Sequence, residues 1–132
     1  MATVRFDIHK GLSNLKQFNF SGSNHQLTLR LTTFLESLYL DNSRNLIIEP
    51  DSDSYIKRVE VKNYFGDNLD FLAFSEHASL TMWCMNARIT TTLIRLKFLR
   101  FSIIHTNQIA LLQLILNKAP NLEYLELPVF GS

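Results

Sequence analysis

One spacing of apolar residues recurs along this chain of 132 residues, and it constrains the fold more than any other feature. In Leu35-Glu-Ser-Leu38-Tyr-Leu40, a second apolar residue follows the first by three positions and a third follows by two more. This spacing occurs six times, in copies that begin at Leu15, Leu35, Ile56, His77, Leu96 and Leu122. The fourth copy is weaker, because a histidine stands where an apolar residue is expected. This recurrence predicts a fold built by stacking one structural unit.

The intervals between the copies are nearly constant. The middle apolar residues stand at positions 18, 38, 59, 80, 99 and 125, so successive copies are 20, 21, 21, 19 and 26 residues apart. Such periods and spacing are typical of leucine-rich repeats, whose units share a core because one strand and one turn cannot bury their own apolar face. We therefore predict a single domain over residues 1–132. It is a short, right-handed α/β solenoid of five to six repeats over residues 12–130, with a parallel sheet on its concave side.

The longest interval, which precedes the last copy, contains the clearest helical pattern. Four apolar residues fall on one helical face: Ile109, Leu112, Ile115 and Leu116. Thr106 or Asn107 can cap the helix by accepting a backbone N–H bond, and Pro120 prevents its continuation. The shorter intervals leave little room for helix, so residues 21–26 and 42–54 are predicted as loops with extended or single-turn pieces.

At the N-terminus, Val4, Phe6 and Ile8 alternate with polar residues, which is the pattern of a half-buried strand. Residues 1–11 are therefore predicted to supply an edge or capping strand. The exposed ends of a solenoid are apolar and normally need caps. If this strand does not cap the first repeat, we expect the chain to associate with itself through its ends.

Composition limits the classes of function. The 46% of hydrophobic residues suffice for a continuous core, and the net charge of +1 lacks the basic excess that most nucleic-acid binders use. The single cysteine cannot form an internal disulfide, and charges at Arg5, Asp7 and Lys10 interrupt any signal-peptide core. No apolar run approaches the roughly 20 residues of a membrane-spanning helix. These features favour a cytoplasmic or nuclear protein without nucleic-acid or membrane partners.

No residue pattern predicts catalysis, a cofactor or a metal. Cys84 follows the fourth copy, where a small apolar residue fills solenoid core, and the four histidines lack metal-ligand spacing. Asp51-Ser-Asp-Ser54 resembles the start of a calcium loop, but the required glycine and terminal glutamate are missing. We therefore expect a protein that is not an enzyme.

The strand assignment instead predicts a binding face. Side chains alternate along a strand, so the residues between the core positions point to the opposite, concave face. That face is polar with aromatic insertions, and Trp, Tyr and Arg are the residue types that dominate binding hot spots. The predicted contact residues are Tyr39, Asp41, Arg58, Glu60, Lys62, Thr81, Trp83, Phe98, Arg100, Tyr124 and Glu126. The alternative is that Arg58 with Glu60, and Arg100 with Glu126, are only cross-strand charge pairs.

Two stretches resemble a known family. Leu38-Tyr-Leu-Asp-Asn42-Ser-Arg-Asn-Leu46 resembles the L-x-L-x-N-C-x-x-L unit of plant F-box proteins with leucine-rich repeats, with Ser43 in place of the cysteine. An asparagine recurs 21 residues after Asn42, at Asn63, and Cys84 occupies the same register another 21 residues later. The run from Leu96 to Leu127 is similar to the F-box-associated segment of those proteins.

The resemblance implies that the repeats hold a target protein for a cullin-based ubiquitin ligase. The eleven residues before Leu12 contain no F-box, which suggests a fragment, a truncated relative, or a member that binds without recruiting a ligase. The adaptor is then a partner only if an F-box is supplied elsewhere. Two other interpretations are a repeat fragment of a plant immune receptor, and a compact α+β enzyme or ligand-binding domain whose leucine spacing is accidental. An enzyme predicts a deep pocket with convergent titratable groups, whereas a solenoid predicts an open curved sheet.

Overall fold

A computed structural model describes residues 2–12, 14–21, 25–50, 54–83 and 86–130. They form two parallel sheets and one α-helix, arranged as a solenoid-like stack. The larger sheet has six strands in the order β2 Gln17–Ser21, β4 Phe34–Asp41, β6 Tyr55–Tyr64, β7 Ser75–Met82, β8 Phe98–Ser102 and β9 Tyr124–Glu126. The smaller sheet has the order β1 Ala2–Ile8, β3 His25–Leu31 and β5 Leu46–Pro50. The remaining elements are α1 Gln108–Asn117 and two 3₁₀ segments, Lys10–Leu12 and Asp70–Phe74.

The recurring apolar residues form rows across the six-stranded sheet. Leu38 pairs with Phe18 on one side and with Val59 on the other, and Leu40 continues an adjacent row. Leu35, Leu38 and Leu40 are all buried, as the spacing predicts. Because a strand supplies at most three such side chains, every coil completes its burial only against the next coil.

The register of the fourth copy differs from the sequence prediction by two residues. Ala78, rather than Leu80, pairs with Val59 and with Leu99, so the copy begins at Ser75 and not at His77. Ser75 can take an inward position because it is small and its hydroxyl donates a 3.4 Å hydrogen bond to the Phe71 carbonyl. The prediction that His77 replaces a core residue is therefore wrong.

The second sheet was not predicted. Residues 21–26 and 42–54 were expected to be loops, yet His25 and Gln26 begin β3, and β5 occupies Leu46–Pro50. Residues 22–24 and 51–53 lie outside the described part of the chain. In β3, Leu27, Leu29 and Leu31 are completely buried against the core of the larger sheet. The predicted N-terminal strand is present as β1, but it forms an edge of this smaller sheet, parallel to β3.

The helix lies in the predicted interval, but it is anchored differently from the prediction. Leu112 and Ile115 are buried, whereas Ile109 is exposed, and the Asn107 side chain makes no capping hydrogen bond. The buried side chain of Gln108 instead holds the first turn. Its Oε1 accepts the backbone N–H groups of Ile104 and His105 at 2.9 and 3.3 Å, and its Nε2 donates to the Met82 carbonyl at 2.9 Å. The helix is thereby tied to the end of β7.

A buried tyrosine satisfies backbone groups in an earlier coil. The Tyr64 hydroxyl accepts the Leu46 N–H at 2.9 Å and donates to the Asn68 carbonyl at 2.7 Å. Asn45 Oδ1 accepts the Asn68 N–H at 3.1 Å. The Tyr64 ring packs edge-on against Phe71, with ring centroids 5.7 Å apart. One side chain therefore joins the turns after β4 and β6 while filling the core.

Replacing Tyr64 by phenylalanine tests this role. Tyr64→Phe keeps the ring but leaves the Leu46 N–H and the Asn68 carbonyl without their partner, so we expect a loss of about 1–3 kcal/mol in the free energy of unfolding. Urea denaturation followed by circular dichroism measures the change. Tyr124→Phe, at an exposed tyrosine, is the matched control and should change little. An equally small effect of Tyr64→Phe would show that its hydroxyl bonds do not stabilise the fold.

Candidate binding face

The outward side chains of the six-stranded sheet lie in rows that cross the strands. The first row is Gln17, Ser37, Arg58, His77, Phe98 and Tyr124, and the second is Asn19, Tyr39, Glu60, Ser79, Arg100 and Glu126. We call these two rows the open face. Most of them line an open depression of about 610 Å³, whose apolar floor includes Leu38, Val59 and Ala78.

The structure places the predicted contact residues on the outward side of this sheet, with one exception. Seven belong to the open face: Tyr39, Arg58, Glu60, Phe98, Arg100, Tyr124 and Glu126. Asp41 and Lys62 pair in a third row nearer the strand ends, and Thr81 pairs with Ser102 at the corresponding ends of β7 and β8. Trp83 is the exception, because it follows the end of β7.

Three aromatic rings stack along the first row. The centroids of His77 and Phe98 are 5.3 Å apart with an interplanar angle of 22°, and those of Phe98 and Tyr124 are 4.6 Å apart at 4°. Phe98 is therefore held between two rings, while Tyr124, on the edge strand, is exposed. Sequence reasoning missed His77 because it placed the fourth copy two residues too late. The Ser75-x-x-Ala78-x-Leu80 spacing is present in the sequence, but serine and alanine do not stand out as core positions in a leucine pattern.

The charged groups of the open face are unequally matched. Arg100 Nε lies 3.1 Å from Glu126 Oε2, as the charge-pair alternative predicts, and Lys62 Nζ lies 4.0 Å from Glu60 Oε1. Within the part of the chain that the structure describes, Arg58 forms no ion pair, so the Arg58–Glu60 alternative does not hold. Arg58 stands between Ser37 and His77 in the first row, at the centre of the depression.

A short chain of hydrogen bonds fixes the strand ends beside the third row. Asn63 Nδ2 donates to Asp41 Oδ1 at 3.3 Å, and Trp83 Nε1 donates to Asn63 Oδ1 at 2.9 Å. Asn63 has a left-handed backbone, with φ of 52°, which asparagine adopts more readily than most residues. The sequence pointed to Asn63 only as a repeated asparagine, and its contact with Trp83 was not predicted.

At the other ends of the strands, a second aromatic group surrounds a tyrosine–carboxylate pair. Tyr55 stacks on Phe34 with centroids 5.3 Å apart, and the Arg95 guanidinium lies 5.0 Å from the Tyr55 ring centroid. The Tyr55 hydroxyl donates a hydrogen bond to the Glu76 carboxylate. Burial and this bond raise the pKa of Tyr55. The same hydrogen bond lowers the pKa of Glu76.

This pair predicts a pH-dependent contribution to stability. Because the pKa of Glu76 is lower in the folded chain, its stabilisation is complete above the ordinary range of a glutamate, about pH 4, and is lost as the pH falls through the lowered value. We expect Tyr55→Phe to destabilise the fold at about pH 7 and to have a smaller effect at about pH 3. Urea midpoints at both pH values measure the difference, with Tyr39→Phe as control. If Tyr55→Phe lowered the stability equally at both pH values, the hydrogen bond from Tyr55 would not depend on the charged form of Glu76.

Two predictions about chemistry-bearing residues fall beyond the described ranges. Cys84, expected in the core, and Asp51 and Asp53 of the calcium-like stretch lie outside the residues that the structure describes. Among those that it does describe, no group of three or more His, Cys, Asp or Glu side chains could hold a metal ion. Tyr55 and Glu76, whose pKa values are shifted, do not line the depression.

Comparisons with known proteins give no match. The search found no protein-family model, no curated protein and no solved structure that matches the chain. Within the described ranges, no helix is long and apolar enough to span a bilayer.

Proposed function

We propose that this chain is a protein-binding leucine-rich-repeat module and that the open face is its binding surface. The observation that carries the proposal is the stack of His77, Phe98 and Tyr124 beside the depression. Monomeric proteins bury most large aromatic groups, and an ordered aromatic row on an accessible face is typical of interaction sites.

The ring stack favours binding because it is preorganised in the free chain. Phe98 is in contact with a ring on each side, so ordering it on binding costs little side-chain entropy. The rings supply apolar area, and the Tyr124 hydroxyl can form a hydrogen bond with a partner. His77 Nε2 already lies 3.7 Å from Glu76 Oε1. A flat row of this kind fits an extended backbone or a shallow protein surface better than a small compact ligand.

The charges around the rings favour selective recognition. The Arg100–Glu126 pair already neutralises itself, whereas Arg58 carries an unmatched positive charge in the middle of the depression. A carboxylate of a partner can form a charge-assisted hydrogen bond with that guanidinium. We therefore propose that the partner brings an acidic group to Arg58 and an apolar group to Phe98.

Variants of the face test whether it binds a protein. Phe98→Ala combined with Tyr124→Ala should abolish the capture of a partner that the native chain retains from cell lysate, because hot-spot aromatic residues carry much of the binding energy. Ile94→Ala changes an equally apolar, exposed side chain that lies outside the depression, and it should leave capture intact. Thermal melts of all variants check folding. Equal capture by the face variant and the control would contradict the proposal.

We further propose that the module recognises substrates for an F-box-type ubiquitin ligase. The support is the resemblance of Leu38–Leu46 to the family unit, together with a repeated backbone feature. Asn42 and Asn63, 21 residues apart, both adopt the left-handed conformation, with φ of 56° and 52°. A left-handed asparagine thus follows β4 and recurs one period later within β6, as expected of a repeating unit.

The ligase proposal has its own test. An F-box joined to the N-terminus of the full chain should shorten the cellular half-life of the captured partner, and proteasome inhibition should restore it. The same fusion carrying Phe98→Ala and Tyr124→Ala is the control and should leave the half-life unchanged. A partner that is bound but not degraded would contradict the ligase role while leaving the binding role standing.

A further inference from the structure

The two edges of the six-stranded sheet lie at opposite ends of the stack, and both expose residues of the core rows. Leu125 pairs with Leu99 in an inward row, yet its exposure is 37%, whereas Leu38 and Leu99 in the same row are 1% and 0% exposed. At the opposite end, Phe18 of β2 is only partly buried, and Phe6 of β1 is exposed. The ring centroids of these two residues are 4.9 Å apart. Both ends of the stack therefore expose apolar side chains that, in the interior coils, are covered by the next coil.

The backbone at the two edges is complementary as well. Along the sheet, the Ser37 N–H donates to the Lys16 carbonyl at 2.9 Å, and the Tyr124 N–H donates to the Lys97 carbonyl at 3.0 Å. Gln17 occupies the same row as Ser37 and Tyr124. One more step of this pattern would have the Gln17 N–H of a second copy donate to the carbonyl of Glu123. The two edges thus present the two halves of a parallel ladder.

Extending the rows by one strand also matches the side chains. Gln17 of the second copy would stand beside Tyr124, which places Phe18 beside the half-covered Leu125 and Asn19 beside Glu126. Lys16 would then stand beside Glu123, so that opposite charges meet at the junction. Apolar, polar and charged positions all find a suitable neighbour in this register.

We propose that this chain associates with itself head to tail, with β2 of one copy pairing in parallel with β9 of the next. Such a contact joins two different surfaces and leaves one of each free. Association therefore continues into open assemblies unless the rotation between copies closes a ring. The open face would run without interruption from copy to copy.

Charge reversal at the junction tests the register. Lys16→Glu or Glu123→Lys alone replaces an attraction by a repulsion, and we expect either change to raise the concentration of half-association by about five- to tenfold. An equimolar mixture of the two variants should recover native association, because every junction then joins opposite charges. Arg30→Glu in β3 and Asp67→Lys after β6 make the same charge changes at exposed positions that do not adjoin β2 or β9, and they should have no effect.

Sedimentation velocity over a range of concentrations measures these changes, and circular dichroism checks that each variant folds. Support would be a concentration-dependent series of species beyond the dimer, weakened by either variant and recovered in the mixture. A native chain that stays monomeric up to high micromolar concentration would overturn the proposal and leave the edges to strands of other proteins. A dimer that forms no larger species and is unaffected by Lys16→Glu would also overturn the proposal. That result would indicate contact between the C-terminal ends of two copies, without β2.

Discussion

The sharing of apolar side chains between neighbouring coils is the interaction on which the structure depends. No strand of the larger sheet buries its own inward residues: Leu38 needs Phe18 and Val59 on its flanks and the leucines of β3 opposite. This requirement fixes the parallel register, since an offset of one residue would turn every core side chain outward. Both the outward rows and the apolar ends follow from it.

The turns between coils show where this regularity is relaxed. Apolar rows repeat because every coil faces the same neighbours, but each turn has different backbone groups to satisfy. Tyr64 does so with a hydroxyl in the core, and Gln108 does so with an amide at the start of α1. The buried Ser43 hydroxyl has no hydrogen-bond partner in the described part of the chain, although its backbone carbonyl accepts the Phe65 N–H. Because the backbone groups of each turn are hydrogen-bonded by different side chains, the polar residues vary from coil to coil while the leucine spacing is kept.

Sequence reasoning could predict what depends on periodicity and not what depends on local substitution. The spacing identified the stacked strands, the helix before the last strand and the outward side of Tyr39 and Arg100. It could not identify the register of the fourth copy, because Ser75 fills an inward position through a hydrogen bond that no hydropathy pattern reveals. The second sheet was missed because the short intervals were assessed for their room for a helix and not for strands, although Leu27, Leu29 and Leu31 alternate as strand residues do.

The predicted register of the fourth copy was wrong by two residues, an even number, and for that reason the prediction still identified the outward face. Strand side chains alternate with a period of two, so an offset of two leaves every outward residue outward and changes only its neighbours. Ser79 was expected beside Phe98, but it stands beside Arg100, and His77 takes the place beside Phe98. The membership of the face was therefore a consequence of alternation. The aromatic stack is a consequence of register, so alternation alone could not predict that His77, Phe98 and Tyr124 stack on one another.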